Sequence, residues 1–119
     1  MSNAVKGPGH GWIGVDLDGT LAEYDVWRGI SHVGKPIKPM LWRVKRWLEK
    51  GYDVRIFTAR CAEGESAVGP IKAWCAKHLG VELPVTNVKD FAMIEMWDDR
   101  AIAVDSNEGT VLGGKSRLA

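Results

Sequence analysis

Three short apolar runs in this chain each end in a polar corner, and helix-like segments lie between them. Trp12-Ile13-Gly14-Val15 runs into Asp16-Leu17-Asp18-Gly19-Thr20, Val54-Arg55-Ile56-Phe57 into Thr58-Ala59-Arg60, and Met93-Ile94-Glu95-Met96-Trp97 into Asp98-Asp99-Arg100. Residues 40–50 are apolar at 40, 41, 44, 47 and 48, the spacing of one helix face. Pro39 ahead of them and Gly51 behind supply a start and a stop. A second helix is predicted over 65–79, with Gly69-Pro70 as a kink or as its true start and Gly80 as its close. Residues 84–88, 93–97 and 101–104 read as a third, fourth and fifth strand. Residues 22–39 hold Gly29, Gly34, Pro36 and Pro39 without a sustained period, which predicts a loop or small flap. Alternating strand and helix predicts an α/β fold: a mostly parallel sheet, helices on both faces, right-handed crossovers. The three polar corners would then share one edge of that sheet.

The totals fit a single domain. At 119 residues the chain can bury a core without disulfides. We assign residues 5–119 to one domain, set aside 1–4 as resembling an expression-vector scar, and expect a frayed, Gly-rich tail over 106–119. A net charge of +1 gives no general pull toward nucleic acid or membrane. No apolar run approaches the ~20 residues of a membrane span, and no signal pattern is present. Cys61 and Cys75 lack CxxC spacing, so a reduced, cytoplasmic protein is expected rather than a metal–thiolate site. Of six tryptophans, Trp47 and Trp74 fit buried helix faces. Trp42 sits off its helix's apolar stripe and Trp27 lies in the flap, where either would be partly buried, meet a partner or stack on a base.

Asp16 and Asp18 are the most informative pair. Strand alternation breaks where a strand stops, so both carboxylates can turn toward one point beyond the carboxyl end of Trp12-Ile13-Gly14-Val15. Ligands of open α/β sheets bind there. Such a pair suits a chemistry in which one carboxylate attacks, the other handles a proton and a divalent cation lies between.

The ordered set resembles the haloacid dehalogenase (HAD) superfamily of phosphotransferases. Asp16-Leu17-Asp18-Gly19-Thr20 matches its DxDGT motif, Ile56-Phe57-Thr58 its apolar strand ending in Thr or Ser, Lys89 its lysine and Asp98-Asp99 its acidic pair. The likeness spans residues 12–105 and implies a Rossmann-like three-layer α/β/α sandwich, here with little or no cap because 22–39 is short. Thr58-Ala59-Arg60 and Asp98-Asp99-Arg100 resemble, more weakly, the phosphatase domain of phage polynucleotide kinases.

What the resemblance implies is a Mg²⁺-dependent phosphomonoester hydrolase working through an aspartyl-phosphate. Asp16 would be the nucleophile and Asp18 the acid and base, with its backbone carbonyl on the metal. Thr58 and Lys89 would steady the phosphoryl group, with Lys72 as the alternative lysine. Asp98 and Asp99 would complete the Mg²⁺ site. Gly19 would let the backbone turn beside the phosphate, while Thr20 buttresses the loop. Arg60 and Arg100 fit either a substrate-phosphate contact or a structural ion pair. The substrate would be a phosphorylated small molecule or a nucleic-acid 3′-phosphate. Capless relatives take large substrates or cover the site with a neighbouring subunit, so a homo-oligomer is compatible. Two other readings stay open: a non-enzymatic phospho-accepting regulatory module, against which the DxD and the late acidic pair count, and a partner-binding member that keeps only the fold.

Overall fold

The computed structural model describes residues 5–118. Strands β1 (Trp12–Val15), β2 (Asp53–Phe57), β3 (Val85–Thr86) and β4 (Met93–Trp97) form one sheet in the order β3-β2-β1-β4, every pair parallel. The central strand β1 is buried along its whole length, which is why it reads as an unbroken apolar run. Helix α1 (Lys38–Glu49) links β1 to β2, and α2 (Val68–Leu79) links β2 to β3. The result is a Rossmann-like α/β fold, a parallel sheet with α1 and α2 packed on one face, where the strand–helix alternation predicted helices on both; the β3–β4 connection holds no helix to form the other layer.

Local chemistry sets the helix ends. Pro39 falls in the first turn of α1, where its missing N–H costs no hydrogen bond. Two short 3₁₀ turns, Ala59–Glu63 and Glu65–Ala67, precede α2. Gly69-Pro70 therefore marks the true start of this helix and not a kink within it. Gly80, with φ 81°, closes it in the left-handed conformation that glycine enters without strain.

Alternation along the strands then builds the core. Ile13 and Val15 of β1 stand level with Val54 and Ile56 of β2. All four join Met40, Leu41 and Val44 of α1 and Ile71, Trp74 and Cys75 of α2 in one apolar cluster. Burial of each such side chain is worth about 1.5–3 kcal/mol.

The other sheet face has a thinner cover. Trp12 lies there, with the Arg55 guanidinium 4.7 Å from its ring centroid and Phe57 at 6.4 Å. Its indole N–H donates to Asp90 at 2.9 Å. Asp90 belongs to residues 87–92, which join β3 at one edge of the sheet to β4 at the other. A right-handed crossover in that direction must pass over the face opposite the helices. The sideways travel is about 14 Å, three strand spacings, and the chain must also return to the start of β4. At roughly 3.3 Å per residue, the connection is nearly extended. It is a strap, not a helix.

The C-terminal region departs from expectation. The fifth strand is β5 (Ala103–Val104), and it stays out of the parallel sheet. It pairs antiparallel with β6 (Val111–Gly113), inside the segment expected to fray. Residues 105–110 make the turn: Asn107 and Gly109 have φ 64° and 79°, and the Asp105 N–H donates to the Thr110 carbonyl at 2.8 Å. Asn and Gly tolerate that backbone, which makes the hairpin accessible to this sequence. Among the described residues, no helix is long and apolar enough to cross a membrane. Residues 1–4, read above as a scar, lie outside the described residues, as does Ala119.

Candidate active site

The strand order reverses between β1 and β4, because the chain steps from β1 outward to β3 and then returns to the far side of β1. At such a switch point the connections leave in opposite directions, opening a crevice at the carboxyl edge. The two acidic corners flank it. The Asp16 N–H donates to the Trp97 carbonyl at 2.9 Å, which extends the β1–β4 ladder into the site and brings Asp16 beside Asp98-Asp99.

A tight turn follows Asp16. The Leu17 carbonyl accepts the N–H groups of Thr20, Leu21 and Ala22 at 3.3, 3.0 and 2.9 Å, and the Leu17 and Leu21 side chains are fully buried beneath it. Gly19 has φ 89°, and a Cβ there would lie 2.7 Å from Asp99 Oδ2. Both conformation and close approach call for glycine. The buried Thr20 hydroxyl donates to Asp99 Oδ1 at 2.9 Å and accepts the Asp99 N–H at 3.0 Å, with Asp16 Oδ2 at 3.5 Å as a second acceptor for its one proton. Thr20 thus buttresses the loop, as read from the sequence, and does so by joining the two acidic corners.

Asp16, Asp98 and Asp99 each offer an oxygen, all within 4.8 Å of one another. Burial pushes the Asp16 carboxyl up to about 7, and the negative charges of Asp98 and Asp99 add to the rise. Three acids this close resist joint ionisation unless a cation balances them. The hard oxygen donors and surplus negative charge fit Mg²⁺.

Asp18 stands apart from that trio. Its two oxygens accept from Arg60 Nε at 2.8 Å and Nη2 at 2.9 Å, a two-pronged ion pair in which Arg60 is only 4% exposed. Thr58 directly follows β2 and is buried; its Oγ accepts the Arg60 N–H at 3.1 Å, which leaves the hydroxyl proton free for another acceptor. Asp98 caps its own turn by accepting the Arg100 N–H at 2.7 Å.

These residues line a cleft of ≈ 820 Å³ that contains Asp16, Asp18, Gly19, Thr58, Arg60, Asp98, Asp99 and Arg100. Two sequence candidates are elsewhere: Lys89 is exposed on the strap, Lys72 is on α2, and neither lines the cleft. Sequence reasoning placed Lys89 just past a strand's carboxyl end. The strap instead turns back at once toward the opposite end of the sheet. Reasoning from sequence also missed Arg117, whose guanidinium is 3.9 Å from Asp99 Oδ2 and 3.5 Å from the Asp99 carbonyl. It sits in Gly113-Gly114-Lys115-Ser116-Arg117, and nothing local there signals a site; only the β5–β6 return brings it back. Tyr24, Trp27 and Asn87 complete the cleft mouth.

No protein-family model matches this chain, and no curated protein does. It is similar to a solved structure of a conserved protein from Bacteroides thetaiotaomicron, with 22% identity over 78% of each chain and a TM-score of 0.58. That likeness is one of fold, and it places the chain among Rossmann-like α/β proteins.

Proposed function

We propose that this chain is a HAD-type phosphatase, a Mg²⁺-dependent phosphomonoester hydrolase that works through an aspartyl-phosphate on Asp16. One observation carries the reading: Asp16, Asp98 and Asp99 lie within reach of a single cation at the switch point, while Asp18 is held out of that group.

An Asp16 oxygen attacks phosphorus as the ester P–O bond breaks, and the leaving oxygen takes a proton from Asp18. Water then attacks the aspartyl-phosphate and gives a proton to Asp18, which frees Asp16 and inorganic phosphate. Both Asp18 oxygens are occupied by Arg60 in this structure, so one must leave the guanidinium before Asp18 can deliver a proton. The Thr58 hydroxyl donates to a phosphoryl oxygen. Asp16, Asp98 and Asp99, with the Asp18 backbone carbonyl, would hold Mg²⁺, which when bound would supply charge neutralisation at the phosphoryl group. The cationic role expected of Lys89 falls to Arg100 and Arg117, which line the cleft.

A nucleic-acid 3′-phosphate is the second substrate reading. Tyr24 and Trp27 favour it, because both stand about half exposed at the cleft mouth beside Arg100 and Arg117. A cytoplasmic location, in keeping with the free thiols of Cys61 and Cys75, belongs to the same proposal.

The test is hydrolysis of p-nitrophenyl phosphate and of 3′-phosphorylated oligonucleotides, with and without Mg²⁺. Turnover that needs the cation and vanishes in Asp16→Asn is expected. Equal turnover by Asp16→Asn would end the proposal.

A further inference from the structure

Arg60 is a nearly fully buried arginine, and arginine is almost never buried without partners. Its guanidinium meets two separate parts of the chain. The fork holds Asp18. Nη1 donates to the Ile30 carbonyl at 3.4 Å, and the Trp27 ring centroid is 5.0 Å away.

Trp27 and Ile30 belong to the flap. The base of that flap is fastened independently: the Glu23 N–H donates to the Lys35 carbonyl, the Ile37 N–H to the Leu21 carbonyl and the Trp74 indole to the Gly34 carbonyl, each at 2.8 Å. The tip, residues 24–32, is different. Its other hydrogen bonds among the described residues are internal, such as Arg28 to Asp25 at 2.7 Å and the His32 N–H to the Gly29 carbonyl at 3.2 Å. Among the described residues, the Arg60–Ile30 hydrogen bond is therefore the one that ties the tip to the rest of the domain, with the Trp27 ring against the same guanidinium beside it.

We propose that Arg60 is a positioning residue through which the flap tip sets the orientation of Asp18. A planar, rigid guanidinium cannot turn toward one partner without turning from another. A substrate that displaces Trp27 at the cleft mouth removes the stacking contact and shifts the Ile30 carbonyl, and the fork on Asp18 moves with them. Conversely, loss of the fork frees the tip. The catalytic half of this proposal rests on the phosphatase reading; the coupling of tip to Asp18 does not.

Two measurements on the full chain test it. The first is tryptic cleavage after Arg28, followed without substrate. Arg60→Lys keeps the charge but not the fork, and should speed cleavage about tenfold, the scale of one charge-assisted hydrogen bond. Asp18→Asn and Trp27→Leu, which leave Arg60 in place, should do the same. The second is steady-state hydrolysis of p-nitrophenyl phosphate with Mg²⁺. Arg60→Lys should lower kcat roughly 10²-fold while KM stays within about threefold, and Arg60→Met should fall further, so that lysine partly rescues. Trp27→Leu should lower kcat in the wild-type background and add nothing in the Arg60→Lys background. Cleavage at the wild-type rate in Asp18→Asn, or additive kcat losses in the double variant, overturns the proposal. A wild-type protein inert toward every phosphomonoester, with cleavage still accelerated in Asp18→Asn and Arg60→Lys, overturns the phosphatase reading and leaves the coupling standing.

Discussion

Thr20 and Asp99 are joined by two hydrogen bonds in opposite senses: the Thr20 hydroxyl donates to the Asp99 carboxylate at 2.9 Å and accepts the Asp99 N–H at 3.0 Å. Chain positions 79 apart are thereby held in register at the edge of the cleft. Thr20→Val keeps the shape and removes both bonds, leaving the Asp99 N–H without its partner. The expected loss of stability is about 1–3 kcal/mol, read as a lower denaturant midpoint at unchanged m. Weaker Mg²⁺ binding, measured by calorimetry, should accompany it.

Gly19→Ala tests the close approach. The added Cβ would press on the Asp99 carboxylate at 2.7 Å and must adopt φ near 89°. Thermal stability should fall by roughly 1–3 kcal/mol, and Mg²⁺ titration should show a larger loss of affinity than Gly64→Ala, where φ is 93° but nothing lies within 4 Å of the new Cβ.

The metal-free protein should become less stable as pH rises from about 4 to about 7. Asp16 has a folded-state value near 7 against 3.8 for the free side chain, so within that window the folded state holds the proton more often than the unfolded state. Unfolding then releases protons, and stability drops as pH rises. Asp25 and Asp90 act with the opposite sign, since hydrogen bonds from Arg28 and from the Trp12 indole hold their carboxyls below the ordinary value, but their contributions vanish only below about pH 4; His78, lowered by burial and by Lys77 and Lys45, opposes Asp16 within the window, where the larger shift of Asp16 sets the sign. Melting temperature in EDTA should be higher at pH 5 than at pH 7.5, and Mg²⁺ should raise it more at pH 7.5 than at pH 5. A flat EDTA profile between those values would remove the electrostatic argument for the cation.

Arg117→Gln removes a guanidinium from the cleft rim without touching the sheet. It is largely solvent-exposed, so global stability should change by less than about 0.5 kcal/mol. If Arg117 contacts the phosphoryl group or its leaving group, KM for p-nitrophenyl phosphate should rise several-fold. An unchanged KM would confine Arg117 to its contact with Asp99.

Much of this geometry was legible because it follows from strand ends. Asp16, Thr58 and Asp98 each come directly after an apolar run, and parallel strands bring their carboxyl ends to one edge whatever the rest of the chain does. Pro39, Gly51, Pro70 and Gly80 marked helix ends for equally local reasons. The failures were all matters of distance along the chain. Lys89 looked like a strand-end residue, but β3 is short and the next strand begins across the sheet, so the backbone turns back before a side chain at 89 can face the cleft. Arg117 enters only because Asn107 and Gly109 turn the tail around. The fork between Asp18 and Arg60 spans 42 positions, and no local pattern distinguishes it from a contact to substrate.

The acidic trio draws Asp16 from the first strand and Asp98 and Asp99 from just beyond the last strand of the parallel sheet. A chain still emerging from the ribosome would carry the first carboxylate long before its companions exist, and the nascent chain would have nothing to concentrate a cation. The acidic cluster is completed only when β4 docks beside β1, the pairing in this sheet whose partners lie farthest apart in sequence.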